Sequence, residues 1–411
     1  MKNIKSINKS ISTKGKKVYP GQGRRVFVGL SGGVDSAVAA ALLKRDGYDV
    51  TGVFIKTWQP EFLPCTWREE RRDAMRIALA LDIPFLFFDF EEEYKKGVAE
   101  KMIEEYRRGR TPNPDVLCNR EVKFGAFWKK AKEMGADYIA TGHYARIFSR
   151  PLFSKKSSDI PAGHGQTFIQ KEVAQLLIGR DSDKDQSYFL WTLTQEDLAH
   201  TLFPIGHLEK REVRRLAKNP PAGGYLPVAE KKDSQGICFI GEVSMEEFLS
   251  HYISTEQGRV LNTQGETIGT HRGALLYTIG ERHGFEVIKK NSDDGAYYVV
   301  AKDMNQNTIT VSNKKEEIEN MSPTKIALKG LNLLSKFADD SLQLTARIRY
   351  RGEKLEIKSL KSEGGVWIVE FMQPVRGLSL GQSIVFYLPD DSGAGRGDIC
   401  LGGAVMDEVM E

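Results

Sequence analysis

The stretch Gly29-Leu30-Ser31-Gly32-Gly33-Val34-Asp35-Ser36 lies between an apolar run, Val26-Phe27-Val28, and a helical pattern, Ala37-Val38-Ala39-Ala40-Ala41-Leu42-Leu43. That order is strand, tight glycine turn, helix, and it imposes a β-α unit on the surrounding fold. Glycine lets the backbone turn sharply and approach a ligand closely, while the free N–H groups that open the helix favour an anion. Ser31 and Ser36 add hydroxyl donors. The segment reads as a nest for phosphate or pyrophosphate. No Gly-Lys-Ser/Thr closes it, so it is not a Walker A loop, and it lacks the Gly-x-Gly-x-x-Gly of a dinucleotide fingerprint.

From about residue 24 to 145, β-type runs such as Val50–Ile55 and Phe85–Phe90 alternate with helical periodicity at 71–81, 91–108 and 124–134. Alternation of this kind predicts an α/β fold with a parallel sheet covered on both faces, whose ligands bind at the carboxyl ends of the strands. The glycine turn and Thr141-Gly142-His143 both fall there. Residues 149–166 are polar and predict a loop, and Asn219 to Gly224 breaks a preceding helical region. From about 257 onwards, short β runs separated by Gly and Asn turns predict a small β-barrel or sandwich. At 411 residues the chain exceeds one usual core, so two or three domains are expected.

A net charge of +4 permits a nucleic-acid partner without demonstrating one. Basic clusters such as Lys210-Arg211 with Arg214-Arg215 read singly as solvated helix faces. No apolar run reaches the ~18 residues of a membrane-spanning helix. The first 23 residues are Lys- and Ser-rich, lack acids, and read as a basic extension. Cys65, Cys118, Cys238 and Cys400 lie far apart, and no Cys-x-x-Cys points to zinc.

Two of those cysteines have informative surroundings. Gly109-Arg110-Thr111-Pro112-Asn113-Pro114-Asp115-Val116-Leu117-Cys118-Asn119 carries two prolines that predict a stiff, non-helical loop holding Asp115 and Cys118 in fixed relation. Arg110 and Arg120 beside it would favour a thiolate. Cys238 sits in Lys231-Lys232-Asp233-Ser234-Gln235-Gly236-Ile237-Cys238-Phe239-Ile240-Gly241. Its apolar neighbours suit a buried thiol, whereas the adjacent Lys, Asp and Gly suit a mobile loop near a charged ligand.

Ser31-Gly32-Gly33-Val34-Asp35-Ser36 resembles the PP-loop of the ATP pyrophosphatases. With Thr111 to Asn119, Ala140 to Arg146, Lys184 to Leu190, Lys232 to Gly241 and Thr278-Ile279-Gly280 in family order, the whole chain from about 24 resembles the bacterial tRNA-specific 2-thiouridylases. The resemblance implies a PP-loop domain over 24–218, a central domain over 219–290 with the sulfur-carrying loop, and a C-terminal β-barrel over 291–411. It implies a cytoplasmic enzyme that uses ATP with Mg2+, and no membrane. ATP adenylates the C2 oxygen of the wobble uridine in the tRNA anticodon loop, releasing pyrophosphate, and a Cys238 persulfide, charged by a donor or relay protein, delivers sulfur. Cys118 is the second thiol, freeing sulfide or forming a transient Cys118–Cys238 disulfide, and Asp115 is the general acid/base. The implied nucleotide contacts are Gly29 to Ser36, Ile55 and Gly142. The implied tRNA contacts are Asn113, Pro114, Asp115, His143, Lys184, Asp185, Gln186, Arg349, Tyr350 and Gln382. A different PP-loop ligase, or a tRNA-binding protein with a relic nucleotide site, are the alternatives.

Overall fold

The structure is a computed structural model, and it describes residues 21–154, 169–221, 223–233, 243–288, 295–334, 343–390 and 397–410. Cys238 and the first 20 residues lie outside the described residues.

Strands β1 (Arg25–Gly29), β2 (Asp49–Lys56), β3 (Phe85–Asp89) and β4 (Tyr138–Ala140), with the short Thr201–Leu202, form a parallel sheet in the order β3-β2-β1-β4-(201–202). The chain builds outward from β1 on one side and then crosses to β4 on the other. The crevice between β1 and β4 is therefore the switch point where such sheets bind ligands. Helix α1 (Val34–Arg45) follows β1 directly and is buried over almost its whole length. Its alanine run explains both facts, because alanine is the best helix former and its small side chain fits between the sheet and the helix Lys210–Lys218.

The expected loop around Cys118 is instead helical from Pro114. Pro114 occupies the first helical position, where a missing N–H costs nothing, and the Asn113 side chain caps the turn by accepting from Val116 N at 3.3 Å. The helical path continues through a π-helical stretch, Asn119–Ala126, into Phe127–Glu133. Only residues 109–113 keep the stiff loop.

A second expectation fails at residue 149. Ala145–Ser154 and Ile169–Ile178 form a ten-residue antiparallel ladder, so the polar stretch begins as a hairpin strand. That hairpin joins the C-terminal sheet through Leu177↔Ile399 and Leu176↔Cys400. The C-terminal barrel has six antiparallel strands, Lys325–Leu333, Thr345–Arg347, Leu355–Glu363, Val366–Phe371, Ser383–Leu388 and Ile399–Met410, closed where the first pairs with the last. Closure leaves no free edge and encloses its own core. Between the two, strands at 258–261, 267–271, 286–287, 298–303 and 308–312 make a separate sheet. Its strands lie on both sides of residue 290, because Thr308–Thr310 return to pair in parallel with Arg259–Leu261.

Candidate active site

The glycine turn caps the carboxyl end of β1. Gly32 has φ +72°, and a Cβ there would lie 2.5 Å from the carbonyl oxygen of Glu70. Gly142, at the end of β4, would place a Cβ 2.7 Å from the Ser36 nitrogen. Both positions thus press backbone against backbone and require glycine. Leu30 and Val34 turn into the core, whereas Ser31, Gly33 and Asp35 keep access to solvent. Ser36 Oγ is internal: it donates to Gly33 O at 3.2 Å and accepts from Ser31 N at 3.3 Å. The ligand-facing surface is therefore backbone N–H, the Ser31 hydroxyl and the Asp35 carboxylate. An anion would bind this arrangement without further side chains.

Asp35 is held from two sides. Tyr144 Oη donates to its Oδ1 at 2.9 Å, and Lys210 Nζ lies 2.8 and 2.9 Å from its two oxygens. Burial first, and then Asp35, push the Tyr144 phenol far above its usual range, so it remains a donor. Lys210 also reaches Asp233 at 2.8 Å, which in turn binds Lys184 at 2.9 Å and Arg214. Burial alone would raise the Asp233 carboxyl, but hydrogen bonds from Lys210 and Lys184 hold it well below the usual carboxylate range. Lys231 donates to Gly32 O at 3.1 Å and pairs with Asp73 at 2.8 Å.

A second group gathers beside the first. Burial pushes the Asp115 carboxyl above its ordinary value, with Lys123 pulling the other way. Burial drives the His143 imidazole well below its ordinary value, with Lys123 adding to the effect. One lysine therefore acts on both. His143 is buried, its rings lie 5.8 Å from Phe124 and 5.9 Å from Phe203, and its Nδ1 is 2.7 Å from Thr141 Oγ1. Cys118 lies one helical turn from Asp115 and is 3% exposed, packed in the core cluster against which Ile55 also rests. Arg110 turns away from it to Glu105 and Asp407, both at 2.8 Å, and Arg120 pairs with Glu121.

The residues expected to meet tRNA separate into two kinds. Lys184 is half-buried on Asp233. Several others tie together segments distant along the chain: Gln382 Nε2 donates to Pro112 O at 3.3 Å, Arg349 donates to Gly377 O at 2.6 Å and to Ile279 O, and Tyr350 packs on Phe189 at 4.6 Å. Asp185 is 2% exposed and accepts from Gly179 N, Ser187 N, Ser187 Oγ and Arg347, the last at 3.0 Å. Gln186 Oε1 accepts from Tyr144 N. Asp185→Ala should leave Arg347 buried without its carboxylate and lower stability by about 3–5 kcal/mol, checked by denaturant unfolding. A loss below 1 kcal/mol would show the pair to be dispensable.

Family profiles match the chain in three blocks: a tRNA methyl transferase HUP domain over residues 24–242, a tRNA methyl transferase PRC-barrel domain over 246–313, and an aminomethyltransferase beta-barrel domain over 323–406. The tRNA-specific 2-thiouridylase MnmA of Streptococcus thermophilus (strain CNRZ 1066) is 40% identical over 391 residues, covering 94% of this chain and 96% of that one. The chain belongs to the tRNA-specific 2-thiouridylase (MnmA) family. A second member, from Listeria monocytogenes serovar 1/2a, is 41% identical over 389 residues, 94% of this chain and 95% of its own. Among solved structures, the U34-tRNA thiolase NcsA of Methanococcus maripaludis aligns with 58% of this chain and 66% of its own, at 17% identity and a TM-score of 0.32.

For a thiouridylase-family chain, the residues that sequence reasoning passed over are Tyr144, Lys210, Lys123 and Asp233 as partners in the site. Lys210 did carry a signal. Glu209 and Glu212 form a capping box, which places Lys210 at the first helical position, where a cation opposes the helix dipole. Lys123 lies in a π-helical stretch, a distortion that often marks functional positions, but nothing in the sequence announces it.

Proposed function

We propose that this protein is a tRNA-uridine 2-sulfurtransferase that thiolates the wobble uridine (U34), with ATP consumed at the Gly29–Ser36 loop and sulfur delivered from a persulfide on Cys238. The observation that carries this reading is the gathering of the glycine nest, of Gly142 and His143 just beyond β4, and of Asp115 and Lys123 on the helical path that begins at Pro114. Membership of the thiouridylase family carries tRNA thiolation as the activity and ATP use as its energy source. The rest is chemical argument.

A uracil carbonyl oxygen leaves poorly, whereas AMP leaves well, so the C2 oxygen must be adenylated first, with pyrophosphate leaving. The glycine cradle, tight enough that a Cβ at 32 or 142 would collide with backbone, suits a triphosphate lying on the start of α1. Asp35 would hold Mg2+, which supplies charge neutralisation of the phosphates. Asp115, whose carboxyl burial pushes above its ordinary value, is suited to exchange a proton with the uracil ring. The target base must turn outward into the pocket, and an unpaired anticodon loop lowers that cost.

The terminal sulfur of the Cys238 persulfide then bonds to C2 as AMP leaves. Cys118 either takes the bridging sulfur, giving the Cys118–Cys238 disulfide, or attacks earlier and frees hydrosulfide as the nucleophile. A dithiol reductant then returns the disulfide to two thiols, and a persulfide donor or relay protein recharges Cys238. Asp185 acts by fixing the turn that carries Lys184 and Gln186, Arg349 by tying Ile279 to Gly377, and Lys184 supplies charge toward the RNA backbone. The described residues include no helix long and apolar enough to cross a membrane. A cytoplasmic site follows from the tRNA substrate.

Mass spectrometry of wobble uridine after incubating tRNA with the protein, ATP and a persulfide donor tests the proposal. Sulfur on C2 supports it, and sulfur on another atom or another nucleotide ends it. With Asp115 as proton acceptor, the rate needs its ionised form, so activity should fall as pH drops through a value above the usual carboxylate range. Asp115→Asn should lose about 10²–10⁴-fold and flatten that acid limb. An unchanged acid limb in the Asn variant would remove Asp115 from the role.

A further inference from the structure

Lys210 opposes the rules of its own helix. It opens Lys210–Lys218, where the dipole favours anions, yet its side chain is only 15% exposed and fully engaged. Its ammonium lies 2.8 Å from Asp35 and 2.8 Å from Asp233, and 5.9 Å from the centre of the Tyr144 ring. Its backbone N–H donates to Asp181 at 2.8 Å, which fixes the stem. Around Asp233, Lys184 and Arg214 crowd beside Lys210. Three cations thus crowd Asp35 and Asp233 in a partly buried space, with the Asp181 carboxylate at the Lys210 backbone, and like charges so placed repel one another. The arrangement is suited to a further anion. On the other rim of the glycine loop, Lys231 touches Gly32 O, so ammonium groups flank the nest from two directions.

We propose that Lys210 is a pyrophosphate-binding residue of the nucleotide site, positioned by a clamp of Asp233, Lys184 and Arg214. This rests on the reading of Gly29–Ser36 as the ATP site. A triphosphate drawn to the start of α1 arrives within reach of Asp35 and therefore of the Lys210 ammonium. Lys210 exchanges a carboxylate oxygen of Asp35 for a phosphate oxygen and keeps its bond to Asp233. The ammonium thereby recognises the β,γ-end of the triphosphate and makes no contact with the adenosine end. No covalent bond changes in this step.

The test titrates the full chain with MgATP, magnesium pyrophosphate and AMP by calorimetry. Lys210→Met should weaken pyrophosphate and MgATP about tenfold or more while AMP stays within about twofold, the scale of one charge-assisted hydrogen bond. Lys210→Arg should recover most of the loss. Asp233→Asn, which does not touch the loop, should weaken pyrophosphate by at least about threefold and spare AMP, through a misplaced ammonium. A merely structural Lys210 would weaken all three probes together, and that result overturns the assignment. So does pyrophosphate affinity unchanged in both the Lys210→Met and Asp233→Asn chains. If Lys210→Met fails to fold, Asp233→Asn and Lys210→Arg decide alone. A wild-type chain that binds no MgATP sinks the nucleotide-site reading itself, whereas MgATP binding with silent variants sinks only the role of Lys210.

Discussion

Cys238→Ala should still release pyrophosphate from ATP in the presence of tRNA but should make thiolated uridine at a rate lower by on the order of 10³-fold or more, the scale of losing a nucleophile. The two measurements separate because adenylation needs the nest and Asp35, whereas sulfur transfer needs a thiol able to carry a persulfide. Cys238→Ser is the useful companion, since a hydroxyl keeps the shape and cannot hold a sulfane sulfur. Asp35→Ala should lose both activities, because it removes the carboxylate proposed to hold the metal beside the phosphates. Pyrophosphate release and 2-thiouridine are assayed on the same sample. A Cys238→Ala chain that thiolates normally would take the persulfide away from this residue and leave the adenylation reading intact.

Gly142→Ala is the second large effect. Its methyl group would lie 2.7 Å from the Ser36 nitrogen and 2.8 Å from the Asp35 carbonyl carbon. Neither atom can retreat, because both belong to the first turn of a helix buried on nearly all sides. The turn must shift as a body, and the phosphate nest shifts with it. A misplacement of ~1 Å is worth about 10²-fold in rate, and overpacking of this kind costs about 1–3 kcal/mol of stability. The ATP dependence of pyrophosphate release measures the first and a thermal melt the second. Wild-type kinetics in a folded Gly142→Ala chain would show that β4 does not define the nucleotide crevice.

The parts of this fold written locally were legible in advance. β1, the glycine turn and α1 follow from a short apolar run, a glycine pair and an alanine run, and Thr308–Ser312, Val366–Phe371 and Ser383–Leu388 appear as strands at the boundaries their sequences show. What was misread depends on partners distant along the chain. Two closely spaced prolines argue against helix, but Pro114 at the first helical position after an Asn cap begins one. Residues 149–154 look like a loop because nothing local says that a ten-residue partner waits at 169–178. In the site, glycines and motif residues were identifiable, whereas the roles of Lys210 and Asp233 arise from contacts between residues 23 positions apart, Lys210 to Asp233, and 175 apart, Asp35 to Lys210. A basic cluster on a helix reads as solvated until its partner is placed in space. Arg211 does face solvent, and Lys210 does not.

The ladder that runs from Ala145–Ser154 through Ile169–Ile178 into Ile399–Met410 stitches the nucleotide half to the last strand of the chain. Cutting the gene anywhere between them would strip Leu176 and Leu177 of their cover and leave raw hydrogen-bonding groups along a long edge. The two ends of this polypeptide are therefore made to melt together, and an isolated N-terminal fragment should be found in inclusion bodies rather than in solution.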